Sequence, residues 1–170
     1  TTAEIMKHYG RPGDPDSLTT FEPPYPFYFD WDLNTPVKKI TVHKKIAAPL
    51  LAVCKDVLAH YGLAKIKELH IDQFGGCFNH RPMRGLEKKY EAAIKAKNFT
   101  LAFTYLSRHS WAIAGDWDTD RNQLKWKADR AQFAKAEYKA MIDIFYKHGF
   151  ISYGRERSND FMHFEIGIIL

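Results

Sequence analysis

At 170 residues, 45% hydrophobic and 26% charged, the chain has the size and composition of one globular domain with a single substantial core. Its net charge of +5 would draw it to polyanions such as nucleic acid, membrane surfaces or anionic cell-wall polymers, but the basic residues are scattered and no nucleic-acid motif is present. No apolar run approaches the roughly 18 residues of a membrane span, and no basic-then-apolar leader opens the sequence.

Residues 1–36 are rich in Pro, Gly and aromatics, with Gly10-Arg11-Pro12-Gly13 and Pro23-Pro24-Tyr25-Pro26-Phe27. They read as an irregular wrap over the surface of one domain spanning 1–170, with the aromatics packed down. Val37 to Val42 suggests a short strand interrupted by a lysine pair. Ile46 to Tyr61 has helical spacing of Leu50, Val53, Val57 and Tyr61, with Pro49 in the first turn and Gly62 as the stop. Cys54 and Cys77 suggest neither a metal-type pair nor a disulfide, so folding in a reducing cytoplasm is expected.

Leu69 to Phe74 alternates apolar and polar residues, as a half-buried strand does before the Gly75-Gly76 turn. Leu86 to Lys97 reads as a short exposed helix, and Trp111 to Trp117 as a strand. Ala134, Tyr138, Met141, Ile142 and Phe145 predict a helix closed by His148-Gly149. Phe161 to Ile169 predicts a final apolar strand. This order implies an α+β fold, with helices packed on a small antiparallel sheet.

Two segments carry the chemistry: Ser107 to Asp116, containing His109, and Asp160 to Glu165, containing His163. Two imidazoles and one carboxylate suit a catalytic zinc, which takes three protein ligands and leaves the fourth place to water. His109 and Asp116 are an odd number of positions apart, so a regular strand would send them to opposite faces. A turn or bulge near Trp111 is therefore expected. In a chain with eight histidines a chance trio is easy to assemble, and structural histidines stay open on chemistry alone.

Both segments resemble the signature of the zinc D-alanyl-D-alanine dipeptidase and carboxypeptidase family, which also contains the L-alanyl-D-glutamate endopeptidases of phage endolysins. Ser107, His109 and Asp116 match its first motif, and Asp160, His163, Phe164 and Glu165 match its last. Gly75 to Gly85, with Arg81 and Arg84, resembles the Gly-aromatic-Arg turn of the family. Ala112 stands where the family usually has Gly, and Ala114-Gly115 is also a small-residue variant.

The resemblance implies a hedgehog/DD-peptidase-like fold and Zn2+ held by His109, Asp116 and His163, with manganese an alternative. It implies Asp160 as general base, Glu165 as support behind His163 or an alternative base, and Arg81 as the group facing the scissile carbonyl oxygen. Arg84 would bind a substrate carboxylate or lie solvated in a loop. Ser107 would position its loop or hydrogen-bond substrate. Trp111, Trp117 and Trp126 would line a groove or sit in the core, and His80 would be a surface residue.

The implied activity is hydrolysis of stem-peptide bonds in bacterial peptidoglycan by a monomeric enzyme of the endolysin type, made in a host cytoplasm and acting at the wall. A D-alanyl-D-alanine carboxypeptidase and a zinc-stabilised, non-catalytic module of a phage particle are the alternatives.

Overall fold

The N-terminal segment, expected as an irregular wrap, forms regular structure instead. In the computed structural model, which describes residues 1–167, α1 (Thr2–Tyr9) opens with a capping box in which Thr1 and Glu4 satisfy each other's exposed groups. Strands β1 (Leu18–Phe21), β2 (Phe27–Phe29), β3 (Asp32–Val37) and β4 (Ile40–His43) follow. The expected aromatic packing is present in part: Tyr25 and Phe27 are buried, whereas Trp31 is exposed. The strands are too short and too interrupted by proline for their alternation to be read. The lysine pair Lys38-Lys39 separates β3 from β4, which splits the single strand expected from Val37 to Val42.

Helix α2 (Lys44–Glu68) buries Ile46, Leu50, Val53 and Val57 on one face. At Gly62 the backbone takes φ 75° and ψ 161°, a conformation that glycine adopts without strain. The helix kinks there and resumes, where a stop was expected. By length and hydropathy α2 also reaches the threshold of a membrane span, contrary to the expectation from the sequence. Its buried face packs in the core cluster, as core helices of the same length and hydropathy do.

Strand β5 (Gln73–Gly76) starts later than expected, because Leu69–Asp72 form a turn with His70 at φ 58°. Helices α3 (Glu87–Lys95) and α4 (Phe99–Thr104) follow, the first close to its expected span. Strand β6 is confined to Ala114–Trp117, since Trp111 closes a 3-10 turn from Arg108. Two further 3-10 turns precede α5 (Lys139–Lys147), so Ala134 lies exposed outside the helix while Met141, Ile142 and Phe145 are buried along it. Strand β7 (Phe150–Ser152), α6 (Tyr153–Arg157) and β8 (His163–Ile166) complete the fold. Of the strand expected from Phe161 to Ile169, Ile168 and Ile169 lie outside the described residues.

The fold is α+β, as expected. Its main sheet has six strands in the order β3-β2-β5-β6-β8-β7, and β1 pairs with β4 in a second, two-stranded sheet. The main sheet is mixed, because β2 runs parallel to β5 while its other pairs are antiparallel.

One face of the sheet carries a continuous aromatic core. The rings of Phe27 and Phe74 lie 5.3 Å apart, Trp117 meets Phe145 edge-on at 5.2 Å, and Phe145 stacks on Phe164 at 4.1 Å. Burying each such ring contributes about 1.5–3 kcal/mol, so a one-residue slip of β6 or β8 would be strongly disfavoured. That register also fixes the opposite face, where Asp116 alternates with Trp117, and His163 and Glu165 flank Phe164.

Candidate metal centre

Asp116 on β6 and His163 on β8 are direct cross-strand partners. His109 reaches them from the 3-10 turn Arg108–Trp111, which Ser107 caps by accepting a hydrogen bond from the His109 amide at 3.3 Å. Ala112 then takes the left-handed conformation, φ 56° and ψ 36°, and turns the chain into β6. This is the turn required by the odd spacing of His109 and Asp116. The alanine occupies a conformation that glycine adopts at lower cost.

The Gly75–Arg84 loop is sewn onto the same turn. The Asn79 amide donates to the His109 carbonyl at 3.0 Å. The Arg81 amide donates to Ser110 Oγ at 3.1 Å, and Ser110 Oγ donates back to the Arg81 carbonyl at 3.1 Å. A side chain at Gly75 would bring a Cβ within 3.2 Å of the Asp116 Cβ and 2.5 Å of Thr119 Cγ2. Close approach of β5 to Asp116 therefore requires glycine there.

The hydrogen bonds assign the histidine tautomers. His109 Nδ1 lies 2.7 Å from the Cys77 carbonyl, which can only accept, so Nδ1 carries the proton. Its Nε2 is buried without a hydrogen-bond partner among the described residues and faces Asp116 Oδ2 at 3.1 Å. His163 Nε2 donates to Glu165 Oε1 at 2.9 Å, and its Nδ1 faces Asp116 Oδ1 at 3.2 Å.

Two imidazole nitrogens thus point at the two oxygens of one carboxylate. Neutral imidazoles would repel it there, lone pair against lone pair, unless a proton or a cation stands between them. The donor atoms of His109, Asp116 and His163 lie within 4.8 Å of one another, and this set fits a zinc site.

The electrostatics show that the cluster draws positive charge to the space between these groups. Burial opposes ionisation of Asp116, but the adjacent histidines hold its carboxyl well below the usual range. His163 is pushed up to about 9, because Asp116 and Glu165 together outweigh the burial that works against its charge.

Behind His163 stands a group of residues that sequence reasoning did not assemble. Tyr153 lies against the imidazole with ring centroids 4.2 Å apart, and its hydroxyl hydrogen-bonds Glu165. The Arg108 Nε is 4.0 Å from Glu165 Oε2, and the Arg157 guanidinium lies 3.7 Å over the Tyr153 ring. Glu165 therefore grips the imidazole nitrogen remote from the one that faces Asp116. Arg108 sat inside the first motif between Ser107 and His109, whereas nothing local marked Tyr153.

Asp160 sits at φ 52° beside this cluster, its Oδ1 buried and without a hydrogen-bond partner among the described residues. Burial raises its carboxyl pKa, with the Asp116 charge adding to the effect and the two histidines opposing it.

Three cavities meet at Asp116 and Arg81. One of about 320 Å³ is ringed by Arg81, Arg84, Arg108 and Arg157 and also reaches Asp160. A second of about 360 Å³ runs from His109 to Phe78 and Trp31, and a third of about 660 Å³ passes between Trp31 and Trp126. Arg81 lines all three, Arg84 two of them, and Ser107 the first. Trp111 and Trp117 are core residues, so of the three tryptophans proposed for a groove Trp126 alone lines one. His80 is exposed, as expected.

Residues 102–166 match the family model described as D-alanyl-D-alanine carboxypeptidase. The match contains both motifs and all three grouped donors, while the Gly75–Gly85 loop lies outside it. No curated protein and no solved structure matches the chain. The family match and the grouped donors together support a hydrolase of the peptidase class with a metal-binding site at His109, Asp116 and His163.

Proposed function

We propose that the protein is a zinc peptidase that hydrolyses the L-alanyl-D-glutamate bond in the stem peptides of bacterial peptidoglycan. The observation that carries the metallopeptidase part of this reading is the convergence of two imidazole nitrogens on the Asp116 carboxylate at the junction of three open cavities. The family match supports the peptidase class, and the net charge of +5 suits approach to anionic wall polymers.

His109, Asp116 and His163 would hold the zinc, which when bound would supply Lewis-acid polarisation of the amide carbonyl and a water of pKa about 7. Asp160 accepts a proton from the attacking water at its unpartnered Oδ1 and returns it to the nitrogen of the departing amine. Arg81, common to all three cavities, offers a fixed positive charge to the carbonyl oxygen as negative charge develops there. Arg84 faces the carboxylates of the stem peptide. Glu165 holds the His163 proton on Nε2 and keeps Nδ1 directed at the metal.

The deciding experiment incubates purified peptidoglycan with zinc-loaded protein, metal-stripped protein and Asp160→Ala, and identifies the released fragments by mass spectrometry. New N-terminal D-glutamate, from the zinc-loaded wild type alone, is the expected product. Release of terminal D-alanine would reassign the enzyme as a carboxypeptidase, the reading favoured by the description of the matched family. An intact wall in every sample would overturn the peptidase reading.

A further inference from the structure

Trp31 is 71% exposed, the most exposed large hydrophobic residue of the described chain. Single exposed apolar residues are common, but this one is immobilised. Its indole stacks on Phe29 at 4.5 Å with 10° between the planes, and Phe29 stacks in turn on Phe74 of the core. The hairpin that carries it, β2 to β3, is tied down beside the indole. Asp30 Oδ2 accepts hydrogen bonds from the Thr119 amide at 3.2 Å and its hydroxyl at 2.7 Å. One indole face is covered by Phe29, and the residue lines the two cavities that run to Asp116.

The arginines of the groove are densest on one side of the candidate metal centre. On one side four arginines surround the cavity that contains Asp160 and Tyr153, which suits a peptide rich in carboxylates. On the other side the flat, oriented indole is accompanied by Thr41, Asn79, Asp120 and Gln123, together with Lys39, Lys125 and the shared Arg81. An apolar plate among hydroxyl, amide and carboxylate groups suits a ligand with an apolar ring face and a rim of hydroxyls and amides.

We propose that Trp31 forms the floor of a sugar subsite, taking a pyranose ring of the glycan strand while the attached stem peptide crosses the metal centre. The inference rests on the peptidase reading above and extends it. Because the stem peptide joins the sugar through its first L-alanine, a sugar next to the metal centre places the cut near that end of the stem. Trp31 thereby discriminates between substrates with and without their glycan.

The test compares zinc-loaded wild type, Trp31→Ala and Trp31→Tyr on two substrates: a muropeptide with its disaccharide and the same stem peptide with the sugars removed. Trp31→Ala is expected to raise KM for the sugar-bearing substrate about tenfold, with kcat unchanged, and to leave the sugar-free peptide unaffected. Trp31→Tyr, which keeps a ring face, should retain most of the discrimination. Equal losses on both substrates, or none on either, overturn the proposal.

A binding arm separates this outcome from failure of the peptidase reading. The peptide-free N-acetylated disaccharide is titrated into wild type while the Trp31 indole N–H resonance is followed by NMR. A saturable shift supports the subsite even if no bond is cut, and an unmoved resonance overturns it. Near-UV circular dichroism checks that each variant is folded.

Discussion

Glu165 holds His163 by the nitrogen that faces away from Asp116: Nε2 is 2.9 Å from Glu165 Oε1, while Nδ1 faces Asp116. The carboxylate therefore sets the tautomer of a candidate metal-binding imidazole from outside the donor group. Glu165→Ala should lower zinc affinity about 10- to 100-fold, measured by competition with a chromophoric chelator, and excess zinc should restore most activity. Activity that stays lost at saturating zinc would make Glu165 the base.

Removing Asp116 tests the metal site itself. In the wild type, zinc at a hundredfold excess over Kd should stabilise the fold by about 2.7 kcal/mol, visible as a rise in melting temperature. Asp116→Ala should show no such rise. A variant that zinc still stabilises would place the ion elsewhere.

Asp160 is expected to act on protons and not on the metal. Asp160→Asn should lower kcat by about 10²–10⁴-fold with KM and zinc affinity little changed. Loss of zinc binding in the same variant would make Asp160 a ligand.

Ala112 tests the turn that brings His109 to β6. Its left-handed backbone tolerates glycine, so Ala112→Gly should remain folded and bind zinc, with stability within about 1 kcal/mol of wild type. Ala112→Val introduces a β-branched side chain into that conformation at a fully buried position. It should destabilise by about 2 kcal/mol or more in chemical denaturation. Equal stability of the two variants would show that the turn has relaxed.

Asp56 joins α2 to the end of α5 through His148 at 2.7 Å and Lys147 at 3.1 Å. The hydrogen bond from His148, followed by that from Lys147, lowers its pKa. A depressed carboxyl pKa stabilises the fold above the unfolded value of about 3.9 and loses that effect as the pH falls through the folded value. Asp56→Asn should therefore melt below wild type at pH 5, and the gap should close at the acid end. A gap independent of pH would assign the effect to packing.

The chemistry of the site was more legible than its architecture. His109, Asp116 and His163 stood in two short motifs, and the odd spacing of the first two already required the turn that Arg108–Ala112 supplies. The N-terminal strands were hidden, because β1 and β2 have only four and three residues and the six-residue β3, with Pro36 inside it, is almost wholly exposed and shows no alternation. The face of β5 and the lateness of its start depended on the turn at His70, which only the packed structure imposes. Tyr153 and Trp31 gain their importance from what lies across space, His163 in one case and the open groove in the other. No local pattern distinguishes them from other aromatic residues.

The parallel pairing of β2 with β5 bears on how the protein could be dissected or recombined. The segment that resembles the peptidase family supplies β6, β7 and β8 only, whereas β2, β3 and β5 come from earlier in the chain. Expressed alone, it would leave β6 with an unpaired border and Trp117 without Phe27 and Phe74 against it. The portion that matches the family is therefore not a cassette. A working excision would have to carry the β2–β3 hairpin and Gly75-Gly76 along with His109, Asp116 and His163, because one sheet supports them all.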